Sequence, residues 1–130
     1  VFSGVACDDA RGAKAIGDVF RAEHYLMDTH TAIAWAAYEE CRDKGEEWTK
    51  DKTVVLSTAS PYKFTRAVLA ALGEDECPTD EECMQKLKQV TQVEAPVPLQ
   101  GIFERPICHT DVIDEELCRE TCRKIKISMR

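Results

Sequence analysis

No stretch of this 130-residue chain is apolar for the roughly 18–20 residues that a membrane-spanning helix needs, so no span is expected. There is no signal-peptide pattern, which leaves a cytoplasmic location as the expectation. There is no basic stripe interleaved with aromatics, and the net charge is −7, which argues against nucleic acid as a partner. The seven cysteines include no C-x-x-C pair and are odd in number, a poor match to a secreted disulfide framework. They read as reduced thiols, several serving as small core residues. Cys108 and His109 with Cys118 and Cys122 form the tightest candidate metal set. It lacks the short knuckle that opens structural zinc sites, so no metal is expected. Internal repeats and low-complexity tracts are also missing, as is an initiator methionine, and the chain reads as part of something longer. With 44% hydrophobic and 32% charged residues, the composition is that of a folded domain.

The hydrophobic spacing predicts about five helices and one or two short strands. Asp8 and Asp9 can cap a first helix running to about His24, with Ile16, Val19, Phe20 and Tyr25 as its stripe. Asp28 or Thr29 can cap a second over residues 30–44, with Ile33, Ala36, Ala37, Tyr38 and Cys41 on its packing side and Gly45 ending it. Ser60 as cap and Pro61 at the first helical position open a third, with Phe64, Ala67, Val68, Ala71 and Leu72 inward. Thr79 and Glu82 fit a capping box for a fourth helix to about Val90, with Cys83, Leu87 and Val90 on one face. A last helix is expected from Asp114 to about Lys126, with Leu117, Thr121 and Ile125 inward. An edge strand is possible within Ile102–Phe103 or Ile107–Val112.

The run Thr53–Leu56 is β-branched and almost free of polar residues, as in a strand buried on both faces. It stops at Ser57-Thr58-Ala59-Ser60 and leads into the third helix. A strand feeding a helix through a turn lined with hydroxyls is where open α/β sheets hold ligands. A lone buried strand also leaves its backbone groups unsatisfied without neighbours. The fold class is therefore α/β, and the chain is expected to be a helix-rich portion of a larger body. Residues 53–73 form its strand–turn–helix motif. The turn can bind an anion or hydrogen-bond a heteroaromatic nitrogen; ordinary capping by Ser60 is the competing use.

Ser57–Phe64, STASPYKF, followed by Ala67–Gly73, AVLAALG, resembles the late block of threonine synthases. Tyr25–Tyr38, YLMDTHTAIAWAAY, resembles that family's upstream block, with Thr29 where many relatives have proline. Arg105–Asp114 is similar to a tail segment of the family. The acidic stretch Glu74–Glu82 and the cysteine-rich tail are less family-like. The resemblance implies the C-terminal portion of a pyridoxal 5'-phosphate enzyme with the tryptophan-synthase-β-like fold. That enzyme converts O-phospho-L-homoserine and water to L-threonine and phosphate. Thr58 matches the hydroxyl residue that hydrogen-bonds the cofactor's ring nitrogen, with Ser57 beside it. Lys63 and His30 are candidates for contacting the anionic substrate. A solvated lysine and a locally packed histidine are the plainer roles.

The family's Schiff-base lysine belongs to an N-terminal segment with no counterpart here, so Lys63 is not read as that residue. No catalytic residue is assigned, and the isolated chain is expected to be inactive without the N-terminal part of the same enzyme. The alternatives are a threonine-synthase-like phospholyase and a non-catalytic α/β interaction module.

Overall fold

A computed structural model describes residues 4–108 and residue 112. Its regular elements are four α-helices: α1, Asp9–Glu23; α2, Thr29–Asp43; α3, Thr65–Ala71; and α4, Asp80–Thr91. Single 3-10 turns lie at Glu47–Lys50, Pro61–Lys63, Val97–Leu99 and Ile102–Glu104. The predicted last helix, Asp114–Lys126, lies outside the described residues, as do three of the four members of the candidate metal set. No cluster of metal-ligating side chains occurs among the described residues. No helix among them is long and apolar enough to cross a membrane.

Side-chain chemistry sets the helix ends. The Asp8 carboxylate accepts from the Arg11 N–H at 2.8 Å, filling one of the orphan donors at the start of α1. His24 closes that helix in the left-handed region, φ 53°, and donates its N–H to the Phe20 carbonyl. Asp28 caps α2, while Gly45 at φ 75° follows its C-terminal end. The capping box of α4 forms as the sequence requires. Thr79 Oγ1 accepts from the Glu82 N–H at 3.2 Å, and Glu82 accepts from the Thr79 N–H at 3.1 Å.

α1 packs against α2 and α3, and α3 packs against α4. Ile16, Ala32, Val68, Leu69, Cys83 and Leu87 make the driest part of the core, each 2% exposed or less. Gly17 sets the approach of α1 to α3. A Cβ there would stand 2.8 Å from the Ala71 carbonyl oxygen, too close for any side chain without a shift. Arg66 locks the α3–α4 connection, donating to the Cys77 carbonyl at 2.7 Å and to Asp80 at 2.8 Å.

Several expectations need correction. Thr53–Leu56 is not a strand, since no strand occurs among the described residues. Nor is the run buried: Val54 is 77% exposed and Leu56 74%. A strand exists through its neighbours' hydrogen bonds, and none of the described residues pairs with this one. Of the two places expected to hold an edge strand, Ile102–Phe103 lies in a 3-10 turn, and Ile107–Val112 falls partly outside the described residues. Ser60 and Pro61 start a 3-10 turn rather than α3, which begins at Thr65. Within α2 the buried positions are Thr31, Ala32, Ala36 and Cys41, while Ile33 is 37% exposed. Leu69 replaces Ala67 in the core of α3, and Thr91 replaces Val90 in that of α4. Tyr25, beyond the end of α1, is exposed.

Candidate functional site

The hydroxyl turn and the start of α2, far apart in the chain, meet in space. Asp28 is the pivot. Its side chain is fully buried and accepts hydrogen bonds from the His30 N–H at 2.9 Å, from the Thr31 N–H at 3.3 Å, and from the Thr31 hydroxyl. Burial works against its ionisation, but these bonds outweigh burial and hold the carboxyl below its ordinary value. Thr31 Oγ1 also lies 3.4 Å from Ser57 Oγ, which joins the turn to the helix. Next to it, the His30 ring sits 5.0 Å from the Phe64 ring at a 57° tilt. The His30 side chain is itself largely exposed, with Nδ1 3.4 Å from Asp28 Oδ1.

Ser60 accepts from the Tyr62 N–H at 3.2 Å, which shapes the turn. Tyr62 is buried and donates its hydroxyl to the Val93 carbonyl beyond α4. Burial, helped by the charge of Glu94, raises the pKa of that phenol. The turn is thus held at both ends: through Thr31 on α2 and through Tyr62 to the segment after α4.

Ser57 and Thr58 are exposed on this frame. Thr58 has no side-chain hydrogen bond among the described residues, so its hydroxyl is available to a ligand. Such a corner can donate or accept one or two hydrogen bonds to a heteroaromatic or anionic group. Lys63 is exposed but opens elsewhere. It lines a groove of about 500 Å³ with Phe64, Met84, Leu99, Ile102 and Phe103, to which Ser57, Thr58 and His30 do not contribute. The structure therefore unites Ser57, Thr31 and His30, and leaves Lys63 on a neighbouring surface.

Thr31 was not singled out in the sequence. Asp28-x-x-Thr31 is a visible local signal, three residues apart like a capping pair. The link to Ser57, 26 residues away, has no local signal. A second apolar surface lies under the exposed run: Val54, Val55 and Leu56 face Ala34, Ala37, Tyr38 and Trp48 across a groove of about 440 Å³.

The family described as "Threonine synthase, C-terminal" matches residues 31–117. A threonine synthase of Pseudomonas aeruginosa is 30% identical over 117 residues, covering 82% of this chain and 24% of that relative. A threonine synthase of Schizosaccharomyces pombe is 39% identical over 62 residues, 45% of this chain and 11% of that protein. "Threonine synthase-like 1" of Mus musculus is 26% identical over 113 residues, 86% of this chain and 14% of that protein. The chain therefore spans a quarter or less of the length of these relatives.

Proposed function

The chain belongs to the threonine synthase family through its C-terminal domain, and from that premise we propose that it forms one wall of a pyridoxal-phosphate site. The whole enzyme then converts O-phospho-L-homoserine and water to L-threonine and phosphate, in the cytoplasm. The supporting observation is the meeting of Thr31 with Ser57, beside the contact of His30 with Phe64. Both contacts join the two blocks that resemble the family, with exposed hydroxyls at their junction.

The residues present suit the ring end of the cofactor. Thr58 offers its hydroxyl to a heteroaromatic nitrogen, with Ser57 beside it as a second cofactor contact. The glycines here stand singly, so a glycine-rich loop for the cofactor's phosphate is to be supplied by another part of the enzyme. Pyridoxal phosphate, when bound, supplies the electron sink for loss of phosphate and addition of water. Thr58 orients the ring as a neutral partner, which does not hold the nitrogen protonated as a carboxylate would. Lys63 and His30 are the candidates for the anionic substrate, Lys63 only if the substrate reaches its groove. The N-terminal part of the enzyme contributes the cofactor-carrying lysine and the strands that cover Thr53–Leu56. The tryptophan-synthase-β-like fold is part of this proposal.

Incubating the full-length protein with pyridoxal phosphate and O-phosphohomoserine tests the reading. Threonine and phosphate should appear in equal amounts, and the 130-residue chain alone should give neither. Threonine made by the isolated chain would overturn the division of labour. The similarity to a protein named threonine synthase-like favours one second reading, a phospholyase acting on a related phosphorylated substrate. It predicts phosphate release without threonine in the same assay. A full-length protein that binds no cofactor would instead point to a non-catalytic interaction module.

A further inference from the structure

The buried Asp28 carboxylate has no lysine or arginine beside it among the described residues. His30 is the titratable group that faces it, with Nδ1 at 3.4 Å. Its charge is instead held by two backbone N–H groups and the Thr31 hydroxyl. An ionised carboxylate only accepts hydrogen bonds, and a threonine hydroxyl has a single proton to give. A bond to a charged acceptor is about twice as strong as one between neutral groups. The Thr31 proton is therefore committed to Asp28 rather than to Ser57 Oγ, 3.4 Å away. Toward Ser57, Thr31 turns a lone pair.

We propose that Asp28 is a positioning residue that orders the hydroxyl protons of this corner, so that Ser57 donates inward to Thr31 and meets a ligand as an acceptor. The ligand group opposite Ser57 is then an N–H or O–H donor. Thr58, which is under no such constraint, can donate or accept. Taking the cofactor as that ligand rests on the function proposed above; the proton order does not. The order also makes Asp28 more than a helix cap, because an asparagine would cap α2 equally well. Asparagine would offer Thr31 an amide donor, releasing the Thr31 proton to Ser57 and reversing the polarity of the corner.

Two measurements test this. The first follows the Asp28 carboxyl by carbon NMR through an acid titration of the protein without ligand. Thr31→Val should raise its midpoint and Thr31→Ser should keep it low. Ser57→Ala should raise it slightly, since the hydroxyl chain loses its outer donor. If the Thr31 proton pointed at Ser57, the same change would free it for the carboxylate and the midpoint would fall. A fall or no change with Ser57→Ala, or no change with Thr31→Val, overturns the proposal.

The second is an absorbance titration of the full-length protein with pyridoxal phosphate. Asp28→Asn and Ser57→Ala should each weaken binding up to about tenfold, the worth of one hydrogen bond. The melting temperature of Asp28→Asn should fall at neutral pH, where the carboxylate contributes to stability, while that of Ser57→Ala should stay near that of the unaltered protein. Unchanged affinity in both variants rejects the positioning role. If the unaltered protein binds no pyridoxal phosphate, the cofactor reading fails, and the proton order is decided by the NMR titration.

Discussion

The core around Ile16, Val68, Leu69 and Leu87 and the run Thr53–Leu56 are built from the same kinds of residue, yet they end in opposite surroundings. The core residues are 2% exposed or less, whereas Val54 and Leu56 are about three-quarters exposed. The difference lies in what each needs to be satisfied. A helix closes its own backbone hydrogen bonds and asks its neighbours only for apolar contact. A strand asks its neighbours for hydrogen bonds as well. The four described helices complete one another within the chain. The run keeps strand-like composition beside a groove lined by Ala34, Ala37, Tyr38 and Trp48.

The sharpest way to break this contrast is to cut into the core. Leu87→Ala should cost about 2–5 kcal/mol, the range for truncating a buried leucine, read by urea unfolding. Next come two glycines of α1. Gly17→Ala should destabilise by about 1–3 kcal/mol, because its Cβ would meet the Ala71 carbonyl oxygen at 2.8 Å. Gly12→Ala should instead stabilise by about 0.5–1 kcal/mol, since its Cβ would make an ordinary 3.5 Å contact with Ile33 and helix propensity improves. Opposite signs in the two unfolding curves confirm that backbone approach, not glycine content, governs α1. Thr58→Val in the full-length protein should weaken pyridoxal-phosphate binding up to about tenfold by removing a ring-nitrogen partner.

Acid offers a gentler probe. The folded value of the Asp28 carboxyl is depressed, so its contribution to stability is present above the unfolded value. It is lost as pH falls through the lower folded value. Asp28→Asn should flatten that part of the stability-against-pH curve. The smallest effect is expected at the exposed run. Leu56→Ser should change the stability of the chain alone by no more than about 0.5 kcal/mol, as for exposed positions generally. The same substitution in the full-length protein should cost more if other strands cover the run there, and equal losses would remove the reason to invoke them.

The starts of α1, α2 and α4 were legible because their causes are local. Asp8, Asp28 and the Thr79–Glu82 pair declare themselves within four residues. The faces were less so. Ile33 and Val90 sit at the edge of apolar stripes wide enough to admit them, and which edge is covered depends on the neighbouring helix. The run Thr53–Leu56 misled because composition records what a segment suits, not whether its partners are within reach. At the site, Ser57 and Thr58 were visible as a hydroxyl turn, and Ser60 as a cap, though of a 3-10 turn rather than of α3. The Thr31–Ser57 contact and the placement of Lys63 on another groove depend on how distant segments meet, which no local pattern encodes.

The hydrogen bond from Tyr62 to the Val93 carbonyl reaches past everything between them in the chain: α3, the acidic connection and α4. The hydroxyl turn is therefore moored to the far side of that connection as well as to its near side. Residues added to or removed from the stretch around Glu74–Glu76 can bulge into solvent without displacing Ser57 and Thr58. The mooring gives a mechanical reason why a change of length there would leave the corner in its place.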